Sequence, residues 1–468
     1  MSSSPSTTRS ARAIRSFLLA GVVLGFSAVN ARAVYDEPLR PLFHYSTAQG
    51  WSGDPNGMVF YDGEYHFSYQ HTLVGTVADF GQMHWGHAIS TDLVHWQNYP
   101  PVISPDTHSM WSGSTVVDWN NTAGFGHQAL VAIYTAAGDP FTQCIAYSTD
   151  RGRTWTKYSG NPVLGNQIGG NRDPHVFWYA PQNKWVMSLW LDGGEYAFYS
   201  SPNLKNWTYL SSFHVPGVIE VPSLFPMPLN GNTNDMRWIF YCGAGAYYIG
   251  TFDGTTFTSQ VGRLHLNEGN SFTAAQTFND IPPSDGRRIL ISQGVQHFPG
   301  MQWENYYNFP VELTLRNVND FVLHANPVRE IEKLRLNTNS WPAQALAPGQ
   351  NPMVGSTGEA FELDATFTPG TATQIGFVVR GQLVLYDNVQ RRVFCNGLWR
   401  WLNPVNGQVR LHILVDRGVI EIFGNDGRLY MPLKADTSPG VRPVGMFVGG
   451  SGATLNSLKK HDLKNIWQ

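Results

Sequence analysis

Cysteine is scarce in this 468-residue chain. Cys144, Cys242 and Cys395 form an odd set in no close-spaced motif, which argues against a disulfide framework and a cysteine-based metal site. Charge is thin as well: Asp, Glu, Lys and Arg supply 14% of residues and the net charge is −3. Nucleic acids and anionic membrane surfaces select for positive patches, so neither is expected as a partner. Long apolar runs are missing beyond the N-terminus. The one found there, "FLLAGVVLGFSAV" (17–29), is short for a membrane span; Arg9, Arg12 and Arg15 precede it and Ala31-Arg32-Ala33 follows as a small-residue cleavage site. Residues 1–33 therefore read as a secretory signal peptide, with an N-terminal anchor as the alternative, and the mature chain is expected outside the cytoplasm. Helical periodicity is rare too, and "PVREIEKLR" (327–335) is the one short helix expected past that peptide.

Aromatics, glycine and proline are abundant instead: 13% of residues are Phe, Trp or Tyr, beside 47 Gly and 29 Pro. Such a composition suits many short strands joined by tight turns, and a chain of this length calls for two domains. Three segments share a pattern: "HAISTDLVHWQNY" from His87, "IAYSTDRGRTWTKY" from Ile145 and "AFYSSPNLKNWTYL" from Ala197. Each reads as a strand, a Ser-Thr/Ser-Asp/Pro turn, then a Trp (Trp96, Trp155, Trp207) opening the next strand. A fainter copy, "YYIGTFDGTTFTS", puts Phe257 at the Trp position. A multi-strand unit recurring every 50–60 residues or so is the signature of β-propeller blades. The repeat stops near residue 335. "NTNSWPAQALAPGQNP" (337–352) reads as a linker, and the alternating segments after it, with a hairpin turn at Asn425-Asp426-Gly427, read as a β-sandwich. The division expected is a propeller over 34–335 and linker plus sandwich over 336–468.

Three carboxylates stand out because each sits in a proline-containing, turn-like sequence beside an apolar strand: Asp54 in "WSGDPNGMVF", Asp173 in "GGNRDPHVFWY" and Glu220 in "GVIEVPSLFPM". Asp-Pro-Asn-Gly on its own is an ordinary turn sequence. A propeller, however, gathers the inner ends of its blades around one axis, so acids separated by roughly two blades and then one can converge.

In these motifs the chain resembles glycoside hydrolase family 32, the invertase, inulinase and levanase family. "WSGDPNG" is similar to that family's W-M-N-D-P-N-G, "NRDPHVFW" to its F-R-D-P, and "EVPSLF" to its E-C-P-D-L-F. "MHWGHAISTDLVHW" (83–96), "WSGSTVV" (111–117), "FNDIPPSDGRR" (278–288), "FPVELTL" (309–315) and "LHILVDRGVIEIFGNDGR" (411–428) extend the likeness over the mature chain. The resemblance implies an all-β fold, a five-bladed propeller followed by a C-terminal β-sandwich, and cleavage of β-fructofuranosidic bonds with retention. In that chemistry two carboxyls flank the scissile bond about 5–5.5 Å apart. By resemblance Asp54 is the nucleophile at C2 and Glu220 the general acid and base, for which burial beside Asp54 is expected to hold its proton. Asp173 would bind the fructose hydroxyls without being attacked or titrated, and Arg172 would hold that carboxylate ionised and contact the sugar or Glu220. Gln70, Trp111, Ser112 and Trp303 match sugar-binding positions. Trp85 falls either on the pocket wall or in a blade core, and its neighbours His84 and His87, lacking a third ligand, read as structural. No cofactor or metal is expected.

Departures from the family pattern cluster around the pocket. Gly53 stands where the family has Asn, Phe80 where it has Trp, and Val221 and Ser223 where it has Cys and Asp. Ser271 and Thr273 stand where it has Asp and Tyr. The expected activity is hydrolysis of a fructan such as levan or inulin, with sucrose as a further substrate. Transfer of the fructosyl group to another acceptor or release of a disaccharide is the alternative, and a non-catalytic fructan-binding protein the remote one.

Overall fold

In the computed structural model, which describes residues 35–467 apart from 218, 219 and 319, strand follows strand through turns of one repeated chemistry. The expected signal peptide lies outside the described residues. In the first turn Ser90 Oγ accepts the Asp92 N–H (3.0 Å), Asp92 Oδ1 accepts the N–H groups of Val94 (3.2 Å) and His95 (2.9 Å), and Trp96 Nε1 donates to the Leu93 carbonyl (3.1 Å). Asp150 and Trp155 repeat the scheme, as do Asn203 and Trp207. The third copy thus aligns on Asn203 and not on Pro202, because only Asn203 offers the oxygen that caps the following N–H groups. The residue after each acid or amide is left-handed: Leu93, Arg151 and Leu204 at φ 66, 60 and 62°, and Gly254 at 93° in the fourth copy, where Asp253 takes the same place.

Each turn joins the last two strands of a four-stranded antiparallel sheet. Among the described residues four such sheets follow in chain order, and their first strands are β1 (Gly50–Tyr61), β2 (Ser109–Asp118), β3 (Arg172–Tyr179) and β4 (Pro222–Leu229). A further antiparallel set runs from β5 (Thr273–Thr277) through Arg288–Gly294 and Val311–Val318 to Asp320–Pro327, and meets β4 at the parallel pair Leu229 and Leu315. The first strands stand side by side, β1 against β2, β2 against β3, β3 against β4, and β5 back against β1, in the manner of a β-propeller. Asn279 staples this arrangement. Its backbone exchanges hydrogen bonds with Met58 and Phe60, while its amide donates to the carbonyls of Thr115 in β2 (2.9 Å) and Val176 in β3 (3.1 Å).

The stretch 329–334 forms one 3₁₀ helix, Arg329–Leu334, so the expected helix is present in its tighter form. The proline-rich stretch after it is not a linker. Strands Arg335–Trp341 and Gln344–Leu346 both pair with Ala453–Leu463, and Pro342 falls in the break between them. An edge strand tolerates polar residues and proline because one side of its backbone faces no neighbour. The sheet they border continues through Phe361–Thr368 and Val409–Asp416 and packs on a second, five-stranded sheet. Phe361, Leu363 and Ile413 from the first and Phe377, Tyr386 and Val448 from the second share one buried core. The N-terminal strap ties the two halves together: the N–H groups of Leu42, Phe43 and His44 all donate to the Asp416 carboxylate, and the His44 ring lies between Asp416 (2.9 Å) and Glu421 (3.2 Å).

Candidate active site

"WSGDPNG" is not a free turn. It lies within β1, where the register to Glu64–Thr72 shifts twice, between Ser52 and Pro55 and between Asn56 and Val59. Bulges of this kind accommodate a proline that cannot donate to the ladder and re-aim the side chain beside it. The carbonyls of the bulge are held from below. Asn305 Nδ2 donates to Ser52 (2.9 Å) and the Tyr307 hydroxyl to Gly53 (2.8 Å). Gly57 is required at φ 55°, since a Cβ there would meet the Trp85 ring at 2.7 Å and Thr115 Oγ1 at 2.9 Å.

Asp54 is thereby turned into a cleft of about 390 Å³ whose walls include Gln70, Phe80, Trp111, Ser112, Arg172, Asp173 and Glu220. Asp173 opens β3 at φ 62°, and Glu220 and Val221 precede β4 at φ 68 and 50°. Left-handed backbone at three non-glycine residues, one of them β-branched, stores strain of about 1–3 kcal/mol each, the kind of cost that persists where surroundings fix a functional geometry. The Val221 N–H donates to Asp173 Oδ2 (3.0 Å), so the strained corner of β4 anchors the acid of β3. A second chain of donors reaches Asp54: Gln70 Nε2 donates to Ser112 Oγ (3.0 Å), which donates to Asp54 Oδ2 (3.0 Å). Arg172 donates to the Gly170 carbonyl (2.9 Å), pairs through Nη2 with Glu220 Oε1, and lies 4.1 Å above the Trp190 ring.

Three carboxyls thus face one guanidinium. Burial, with Glu220's charge added, pushes Asp54 up to about 6 against the pull of the Ser112 hydroxyl. Burial lifts Asp173 further, to about 7, helped by the charges of Asp54 and Glu220; Arg172 and the Val221 N–H oppose this but are outweighed, so Asp173 is not held ionised by Arg172 as expected. The burial expected at Glu220 falls on these two instead, for the Glu220 side chain keeps 36% of its surface open.

Two expected wall residues lie elsewhere. Trp85 is wholly buried in a blade core with Ile103, Met110 and Tyr134. Its ring supports Gly57 and its Nε1 donates to the Trp111 carbonyl (2.9 Å), so it positions β1 and Trp111 without reaching the cleft. Trp303 is wholly buried too, packed with Phe298, Tyr306 and Val419 under the Arg40 guanidinium at 3.7 Å, and so supports the N-terminal segment instead of the cleft. His87 stacks on His66, rings 5.5 Å apart, as a structural pair. Two wall residues escaped the sequence reading, Met83 and Trp51. A Cβ on Gly53 would come within 2.1 Å of the Trp51 ring, so that indole covers the space the missing Asn side chain would take. Trp51, Phe80 and Trp111 then form an aromatic mouth, with ring centroids 6.3 and 5.8 Å apart in sequence. The absence of a side chain at Gly53 was the signal that could have found Trp51.

Residues 44–327 match the N-terminal domain model of glycosyl hydrolases family 32, and residues 330–432 match the C-terminal one. The chain belongs to glycosyl hydrolase family 32. A levanase of Bacillus subtilis is 38% identical, over 95% of this chain and 74% of its own. The extracellular exo-inulinase of Aspergillus ficuum is 29% identical, over 97% of this chain and 99% of its own. The crystal structure of the exo-inulinase of Aspergillus awamori superposes with a TM-score of 0.82 at 26% identity, covering 92% of this chain and all of that one. Membership of family 32 makes the chain a glycosidase, all-β, with propeller and sandwich parts like those of its structural relatives.

Proposed function

We propose that this family 32 chain is a secreted fructan hydrolase that cleaves β-fructofuranosidic bonds with retention. Its five inner strands are read as five blades over 34–335, with the sandwich over 336–468. The observation that carries the mechanism is the convergence of Asp54, Asp173 and Glu220, from three different inner strands, on one cleft with a single arginine.

Asp54, held by Ser112 and Gln70, attacks C2 while Glu220 protonates the departing glycosidic oxygen, giving a fructosyl ester on Asp54. Glu220 then takes a proton from water as that water attacks C2, and Asp54 leaves as carboxylate. Asp173 receives the sugar hydroxyls and stabilises positive charge as it grows at C2. Asp54 and Asp173, pushed up to about 6 and about 7, keep part of their protons near pH 6, so the cleft holds a proton beside Glu220. Arg172 orients Glu220, and the aromatic mouth receives the rest of the chain.

Secretion fits the extracellular inulinase relatives. Among the described residues no helix is long and apolar enough to cross a membrane. Trp51 lying over Gly53 gives a second reading support: a reshaped wall favours a longer bound unit, with disaccharide release or transfer to another sugar as outcome. Incubation with levan, inulin and sucrose, with separation of the products over time, tests both. Monomeric fructose as the first product supports exo-hydrolysis, a difructose or a lengthened oligomer supports the second reading, and no product from any of the three overturns the proposal.

A further inference from the structure

The inner strands run away from the catalytic cleft and end in a second concave surface. Arg172 and Asp173 open β3 while Phe177 and Trp178 close it; Ser112 lies early in β2 while Trp119 follows its end. Four to seven residues at about 3.3 Å each put this surface roughly 13–23 Å from the carboxyls, on the opposite face of the ring. It holds a hollow of about 480 Å³ walled by Trp119, Phe177, Trp178 and Trp238, with Asp280 and Arg288 at its floor. Pro226, Asp280 and Arg288 also border a second hollow of about 540 Å³, so the two form one elongated groove.

The groove's chemistry is selective. Trp119 is 48% exposed, a large indole face beside the Tyr61 ring at 5.9 Å. Asp280 accepts the Trp119 Nε1–H (2.9 Å) and the Val117 N–H (3.0 Å), which fixes the ring upright beside the carboxylate. Arg288 donates through Nη1 to the Phe278 carbonyl (3.1 Å) and, at 3.5 Å, to Thr277 Oγ1; its Nε and Nη2 have no partner among the described residues. Two acids, Asp280 and Glu312, and two bases, Arg287 and Arg288, offset each other along the groove, which disfavours a charged ligand. Aromatic faces with a few fixed donors and acceptors, in a space of this size, suit a neutral polyhydroxylated molecule whose C–H faces stack on the rings. An elongated groove suits a chain of them.

We infer that this back-face groove is a second, non-catalytic carbohydrate site that holds a fructan chain, with Trp119 as its stacking platform and Arg288 as its hydroxyl donor. The inference rests on the proposed activity for the identity of the sugar. A polymer held there cannot reach the carboxyls with the same residues, so the site acts by keeping the enzyme on its substrate and raising the local concentration of chain ends.

The test uses full-length protein in gels containing inulin or levan, where binding retards migration. Trp119→Ala is expected to weaken polymer affinity roughly tenfold. Its kcat/KM on a fructo-trisaccharide, too short to span both faces, is expected to stay within about twofold of wild type. Hydroxyl-radical footprinting of Asp54→Asn with inulin needs no groove variant and is expected to protect Trp119 and Trp178. Wild-type affinity in Trp119→Ala together with unprotected rings, or equal retardation by an α-glucan, would overturn the inference. Should wild type release nothing from any fructan, the proposed activity itself fails, which is a distinct outcome.

Discussion

Replacing Asp173 by Asn is expected to stabilise the protein at alkaline pH while disabling it. Asp173 is 4% exposed and its carboxyl titrates near 7 in the folded chain, against 3.8 when unperturbed. Between those values the folded state binds more protons than the unfolded one, so stability falls as pH rises through this window. About three pH units correspond to about 4 kcal/mol as a ceiling. Because Asp54 and Glu220 supply part of the shift, about 2–4 kcal/mol is the working range. Asn matches the neutral acid in shape and still accepts the Val221 N–H, yet never ionises. At pH 8 the variant should melt about 2–4 °C above wild type, since a chain of this size gains roughly 1 °C per kcal/mol. At pH 4, where wild-type Asp173 is protonated, the two should melt within about 1 °C. Its kcat/KM on fructan at pH 8, where wild-type Asp173 is ionised, should fall by about 100-fold or more, as the charge proposed to face C2 is lost. Differential scanning calorimetry at both pH values decides. A variant less stable than wild type at pH 8, or an equal gain at both pH values, would refute the electrostatic account.

Other consequences follow from the packing and the titrations. In Gly53→Asn the new side chain meets the Trp51 ring, so a loss of about 1–3 kcal/mol in denaturant unfolding is expected, recovered in Gly53→Asn/Trp51→Ala; a tolerated single variant would show that the indole does not hold this place. At His44 burial alone would lower the pKa, but the hydrogen bonds to Asp416 and Glu421 outweigh it and lift the ring to about 9. A raised cationic group stabilises the fold below its unfolded pKa of about 6.5, and that contribution, about 2–3 kcal/mol, is lost as pH climbs through 9. His44→Gln should therefore be weaker at pH 6 and show a flatter stability curve between pH 7 and 9.5 by urea titration. With ionised Asp54 as the proposed attacking form and Asp173 charged beside it, kcat/KM should drop on the acid side with an apparent pKa of about 6 to 7; a limb near 4 would contradict the burial seen around them.

Much of the site was legible because catalysis constrains side-chain type and local sequence together. Asp54, Asp173 and Glu220 each carry an acid beside proline at the mouth of an inner strand, and the turn repeat announced the blades that bring them together. What remained hidden depends on which way a side chain faces across a pleat. Trp85 and Trp303 lie in motifs shared with the family, but an indole there can turn to the cleft or to the core, and both turned inward. The bulges in β1 shift the register by residues that no alternation pattern shows, which is how a turn-like Asp-Pro-Asn-Gly becomes strand. The stretch 337–352 resembled a linker by composition alone; pairing to Ala453–Leu463, more than a hundred residues on, makes it a sheet edge. The back-face groove was unreadable in sequence because its walls come from the end of β2, from β3, from the fourth sheet and from the segment around Asp280, each placed there by ring closure.

In the proposed mechanism Asp54 carries the sugar between the two steps, and mass spectrometry of Glu220→Ala, quenched in acid during reaction with a fructoside whose leaving group needs no protonation, can catch it there. Without Glu220 to activate water the second step slows and the ester accumulates. One fructosyl unit is expected on the peptide containing Asp54. Turnover with no adduct, or an adduct on Asp173, would contradict it.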